Sequence, residues 1–201
     1  SNAIKSNAFG KAIEAESPEL VDTFIKYHKE NGGISRYVKF EYFYKELKQQ
    51  FEYKINLKAA LKRYAHISEN GLLTCDMITG VLDILKHFKS LNIPCYVVSG
   101  GDQKEVRSVF KKRNLDQYFV KILGSPNTKV ENLDKLKSYD VFLENNFFFG
   151  DASSDMNAAL GEKMNFIFVS GKSEWSAGRD ECNRLSLPII ENFLHLFQDT
   201  K

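Results

Sequence analysis

Three phenylalanines and a glycine, Phe147-Phe148-Phe149-Gly150, run straight into Asp151-Ala152-Ser153-Ser154-Asp155. A short apolar run followed by turn residues reads as a buried strand of a parallel sheet, with the polar residues behind it forming a loop and the first turn of a helix. In open parallel sheets, ligands bind outside the carboxyl ends of the strands. This one segment therefore constrains both the fold class and the place where chemistry is expected. Asp151 should end the strand and Asp155 should lie in the first helical turn, so both carboxylates can converge where a divalent cation such as Mg2+ needs oxygen ligands. The same residues also suit a plainer role, with Ser153 as an N-cap and Asp155 at the positive end of the helix dipole.

The alternation of short apolar runs and helical patterns begins after Leu72-Leu73 and continues through the rest of the chain, the signature of an α/β fold with a parallel sheet. Strands are expected near residues 95–99, 120–123, 147–150 and 165–169, and helices near 79–91, 103–114, 130–138, 153–160 and 188–197. Residues 6–69 differ, because their apolar residues recur at helical spacing: Leu20, Phe24 and Ile25, then Tyr37, Phe40, Phe43, Tyr44 and Leu47. Glu30-Asn31-Gly32-Gly33 reads as a helix stop, Ser35 as the next N-cap, and Ala59 to Ala65 as a further helix. At 201 residues the chain is about 1.3 domain lengths, which fits one core with a modest insertion. The division expected is a helical unit over 4–74 and a Rossmann-like core over 75–201, with Ser1-Asn2-Ala3 read as the scar of a cleaved expression tag.

Composition removes several classes of function. The formal net charge is +2, and no basic block offers a nucleic-acid footprint. No stretch approaches the roughly 20 apolar residues of a membrane span, and no secretory leader precedes the helices, so a cytoplasmic protein is expected. Cys75, Cys95 and Cys182 form neither a disulfide framework nor a metal knuckle. The four histidines, at positions 28, 66, 87 and 195, lack ligand spacing for zinc.

Two further strand ends carry candidate chemistry. Tyr96-Val97-Val98-Ser99-Gly100-Gly101-Asp102 places a hydroxyl and two glycine amides ahead of a helix, where anions bind readily. It lacks the G-x-G-x-x-G spacing of a dinucleotide site. Gly124-Ser125-Pro126-Asn127-Thr128-Lys129 places one lysine ahead of the next helix, where it can meet a phosphate and steady Asp151 and Asp155. In the helical unit, Arg36 just inside a helix start can pair bidentately with a second anionic group, and Lys39 lies on the same side.

The order of these features resembles the haloacid-dehalogenase-like superfamily. Thr79 to Leu85 leading to Val97-Val98-Ser99-Gly100 is similar to its second motif, Lys129 to its third, and Gly150-Asp151 to Asp155 to its fourth. The resemblance implies a helical cap of the phosphoglycolate-phosphatase or β-phosphoglucomutase kind over the core. It implies Ser99 and Gly100 holding phosphoryl oxygens, Lys129 stabilising charge, Asp151 as a metal ligand, and Asp155 supporting the metal or Lys129. The implied partner is a small phosphorylated metabolite, and a sugar phosphate is the best guess.

The superfamily's first motif, Asp-x-Asp, supplies the nucleophile and the general acid/base, and no Asp-x-Asp occurs in these 201 residues. The chain is expected to begin just downstream of its own nucleophile, through truncation or a misassigned start. The first core strand would then be missing from the centre of the sheet, leaving unpaired backbone groups to be met by strand exchange, a rearranged sheet or dimerisation. Weak Mg2+ binding at best and near-inactivity are expected. The alternatives are a non-catalytic phosphate- or partner-binding module and a sugar-phosphate mutase.

Overall fold

The computed structural model describes residues 2–139, 141 and 146–197. Four helices come first: α1 (Asn2–Ala12), α2 (Pro18–Glu30), α3 (Arg36–Tyr42), which runs on as a π-helical turn over Phe43–Leu47, and α4 (Lys54–Thr74). Ser17 accepts from Leu20 N–H to start α2, with Pro18 at the first helical position, where its missing N–H costs nothing. Ser35 caps α3 in the same way, through Tyr37 N–H. The periodic aromatic residues meet inside this unit. Phe9, Phe24, Phe40, Phe43 and Tyr64 form one buried cluster, with the Phe9 and Phe24 rings edge to face at 5.6 Å. Each such side chain contributes about 1.5–3 kcal/mol through burial.

The remainder is α/β: α5 (Val81–Ser90), β1 (Tyr96–Asp102), α6 (Gln103–Lys112), β2 (Lys121–Ser125), α7 (Lys129–Lys137), β3 (Phe147–Gly150), α8 (Ser153–Gly161), β4 (Asn165–Val169), α9 (Gly178–Arg184) and β5 (Ile189–Ile190). All strand pairs are parallel, and they form two sheets, β1-β2 and β3-β4-β5. Both sheets pack on one cluster, in which Leu123, Phe148, Phe166 and Phe168 are joined by Tyr96 and Val98. Among the described residues, β1 and β3 each lie at the end of a sheet. All of β1 is only half-buried, whereas β4 is buried beyond its first residue. Among the described residues, no helix is long and apolar enough to cross a membrane.

One expectation is corrected. The helix expected over 188–197 is instead the strand β5 followed by a 3-10 helix over Phe193–Phe197. Ile189 and Ile190 are β-branched and follow Pro188, and they extend the sheet by pairing with Phe168 and Val169. Asn192 then restarts the chain as a short helix by accepting from Leu194 N–H. Helix α9 was not foreseen, because Gly178-Arg-Asp-Glu-Cys-Asn-Arg184 has no apolar stripe and buries little beyond Cys182.

Candidate functional site

The ends of β1, β2 and β3 are drawn together by local bonds. Ser125, the last residue of β2, donates its hydroxyl to the Gly100 carbonyl at 3.0 Å, tying β2 to β1. The Ser125–Pro126 bond that follows is cis. Thr128 and Glu131 then form a reciprocal capping box. That cap fixes Lys129 as the first residue of α7 and sends its side chain inward, 9% exposed. Its Nζ donates to Asp155 Oδ1 at 2.5 Å and to Ser154 Oγ at 2.8 Å.

Asp155 sits three residues into α8, and its second oxygen accepts the Asp151 and Ala152 N–H groups at 3.2 Å each. One carboxylate therefore caps the helix and neutralises the buried lysine. Asp151 ends the β3 loop, with its carbonyl accepting from Ser173 Oγ at 2.5 Å. Ser99 Oγ accepts the Gly101 N–H at 3.0 Å, in the part of β1 where the register with β2 shifts.

The turn after α2 reaches into the same place. Ser154 donates to the Gly32 carbonyl at 2.8 Å. Gly33 has φ +75°, and a Cβ on it would strike Ser154 Oγ and Lys129 Nζ, while a Cβ on Gly100 would strike the Gly33 carbonyl. The Asn31–Gly33 turn thus closes over the Gly100, Lys129 and Ser154 ends at once. Gly33→Ala meets a left-handed backbone penalty of about 1–2 kcal/mol in addition to the collision. At about 2–4 °C per kcal/mol for a chain of this size, its melting temperature is expected to fall by roughly 4–8 °C in calorimetry.

Arg36 is engaged within the protein, at the junction of β1 and α6. Its two terminal nitrogens donate to the Glu105 oxygens at 2.7 and 2.6 Å, with Asp102 at 3.9 Å. Tyr37 donates to Asp102 at 2.8 Å, which locks α3 onto the start of α6. Burial opposes the charge on Arg36, but the Glu105 carboxylate overrides it and holds the guanidinium above its ordinary pKa. Sequence reasoning missed Glu105, because the link depends on α3 lying over the first turn of α6. It also missed Ser154 as a contact of Lys129, although the residue stands beside Asp155.

The side chains present do not fit a magnesium ion by themselves. Both Asp155 oxygens are engaged, one by Lys129 and the other by the Asp151 and Ala152 amides. Among the described residues, no group of three or more His, Cys, Asp or Glu is placed to hold a metal.

The parallel α/β core gathers a hydroxyl with two glycines, a lysine and a pair of aspartates at successive strand ends, on a Rossmann-like scaffold. The model of the haloacid dehalogenase-like hydrolase family matches residues 6–169, and the chain belongs to that family. Solved structures agree in fold. A predicted phosphoglycolate phosphatase from Haemophilus somnus superposes with a TM-score of 0.72 at 13% identity, covering 99% of this chain and 91% of that one. The β-phosphoglucomutase of Clostridium difficile gives 0.69 at 16% identity, covering 96% and 86%. A HAD-hydrolase from Bacillus subtilis, bound to magnesium, gives 0.66 at 13% identity, covering 98% and 90%. Among curated proteins, none matches the sequence significantly.

Proposed function

We propose that the protein is the phosphoryl-handling part of a phosphatase for a small phosphorylated metabolite, with Lys129 as its central anion-binding group and residues 4–74 as its cap. The observation that carries this reading is the placement of Lys129 Nζ. It is buried where the ends of β1, β2 and β3 meet, and fixed by Asp155 and Ser154. A preorganised cation of this kind stabilises charge on a phosphoryl group without reorganising first. Gly100 lies against the Gly33 turn, and in this reading its backbone amide and the neighbouring Ser99 hydroxyl serve the phosphoryl oxygens. Opening that turn admits the ligand, and the identity of the cap residues then sets which ligand fits. In this reading Asp151 is the residue that offers a carboxylate to Mg2+, and binding of the ion is weak.

Inorganic phosphate tests the site directly. Titration calorimetry is expected to show binding that Lys129→Met weakens about 10- to 100-fold, the value of a charge-assisted hydrogen bond of about 1.5–3 kcal/mol. Equal affinity in the variant removes Lys129 from the site.

The absence of Asp-x-Asp from the 201 residues favours a second reading, a phosphate- or partner-binding module without catalysis. A sugar-phosphate mutase differs from both in responding to a bisphosphate activator. Pairing of two copies through the sheet ends at β1 or β3, the edges of the sheets among the described residues, would appear as concentration-dependent sedimentation.

A further inference from the structure

The turn that covers the strand ends is bound there as a ligand would be. Ser154 Oγ accepts from Lys129 Nζ at 2.8 Å and donates its own hydrogen to the Gly32 carbonyl at 2.8 Å. A Cβ on Gly33 would strike both Ser154 Oγ and Lys129 Nζ, and the Gly33 carbonyl stands where a Cβ on Gly100 would be. The turn therefore fills the space against Lys129, Ser154 and Gly100. A serine hydroxyl has one hydrogen to donate, so Ser154 serves the Gly32 carbonyl or an incoming oxygen, never both. An ammonium has three, and among the described residues two are taken, by Asp155 and Ser154.

Three residues beyond Gly33, α3 is clamped to the start of α6. Arg36 is 6% exposed, gives its two terminal nitrogens to Glu105 at 2.7 and 2.6 Å, and lies over the Tyr37 and Tyr64 rings at 5.4 and 5.2 Å. Tyr37 Oη donates to Asp102 Oδ2 at 2.8 Å, while Asp102 Oδ1 accepts the Lys104 and Glu105 N–H groups and caps α6. The clamp thus grips a fixed helix end, and the short stretch from Gly33 to Arg36, which includes the Ser35 cap of α3, leaves the turn little slack. Among the described residues, none of the clamp's hydrogen bonds runs to Lys129, Ser154 or Gly100.

We propose that the Asn31–Gly33 turn is an internal ligand of the strand-end site, its Gly32 carbonyl holding the place of a phosphoryl oxygen on Ser154, and that the Arg36–Glu105 and Tyr37–Asp102 contacts set how readily it yields to a phosphate-bearing ligand. This rests on the phosphate reading of the site. Once the turn has left, a phosphoryl oxygen takes the Ser154 hydroxyl and the third Lys129 N–H. It is the stronger acceptor, because hydrogen bonds to an ionised oxygen exceed those to a neutral carbonyl. The apparent affinity is the intrinsic affinity reduced by the fraction of molecules whose turn is open. The clamp therefore controls binding without touching the ligand.

The test titrates inorganic phosphate into the full chain and three clamp variants, by calorimetry and NMR. Glu105→Gln removes a negative charge, Arg36→Met removes a positive one, and Tyr37→Phe changes none. A direct effect of charge on the anion would strengthen binding in the first, weaken it in the second and leave the third alone. Competition with the turn predicts that all three bind phosphate roughly 2- to 10-fold more tightly, the range for loss of one net hydrogen bond, while their melting temperatures fall. Tyr37 is 37% exposed, so Tyr37→Phe is the variant least able to disturb folding. In the unsubstituted chain, the nuclear Overhauser contact between the α-hydrogens of Gly33 and Gly100 should be present without phosphate and fade as phosphate saturates. Affinities that follow the charge changes, or that stay constant in all three variants, overturn the role of the clamp. A Gly33–Gly100 contact kept at saturation overturns the internal ligand and leaves the phosphate site standing, whereas no phosphate binding by any of the four chains overturns the site reading as well.

Discussion

Asp155→Ala is expected to lower the melting temperature by roughly 10 °C, more than any other single change at the site. The side chain meets three groups: the buried Lys129 ammonium and the amides of Asp151 and Ala152. Removing one partner of a buried pair leaves an uncompensated charge, which typically costs about 3–5 kcal/mol. Side-chain exposures of 8% and 10% leave little solvent to screen the loss. With about 2–4 °C per kcal/mol at this chain length, the cost becomes a drop visible in any thermal melt. The double variant Lys129→Met, Asp155→Leu separates the causes. It removes both charges and should recover much of the lost stability, though not the contribution of the two capped amides. A drop of under about 2 °C for Asp155→Ala would mean that water reaches Lys129.

The second large effect concerns catalysis. Phosphoryl transfer through an aspartyl-phosphate needs a carboxylate nucleophile and a proton donor, and the family resemblance assigns both to an Asp-x-Asp motif that these 201 residues do not contain. The residues that are present bind and stabilise charge, and neither role replaces a bond-forming atom. Loss of a covalent nucleophile in other enzymes reduces turnover by factors on the order of a million. Hydrolysis of a generic phosphate ester by this chain is therefore expected at the background level of buffer with metal. Lys129→Met should make no difference to that rate, although it weakens phosphate binding.

The fold was legible where one period dominated. The helical spacing of Phe24, Phe40 and Phe43 and the apolar runs at 147–150 and 165–169 located their elements to within a few residues, because burial alone decides such segments. The region around Ile189 misled, since a parallel strand of two residues carries no period and is made by the edge of β4. The site was half legible. Lys129 and Asp155 could be paired because each closes a strand-to-helix turn, a local pattern with a local consequence. The bonds of Arg36 to Glu105 and of Lys39 to His28 join elements 69 and 11 residues apart, and only packing decides which cations face the ligand and which are used inside the protein.

One measurement bears most directly on the assignment of the three strand ends to phosphoryl transfer. A chain carrying a strand that ends in Asp-x-Asp ahead of Ile4 is compared with the present chain in Mg2+-dependent hydrolysis of a generic phosphate ester, each with and without Lys129→Met. The expected result is activity in the extended chain alone, abolished by the substitution at Lys129. Enzymatic rates from the 201-residue chain itself, or an extended chain indifferent to Lys129, would contradict it.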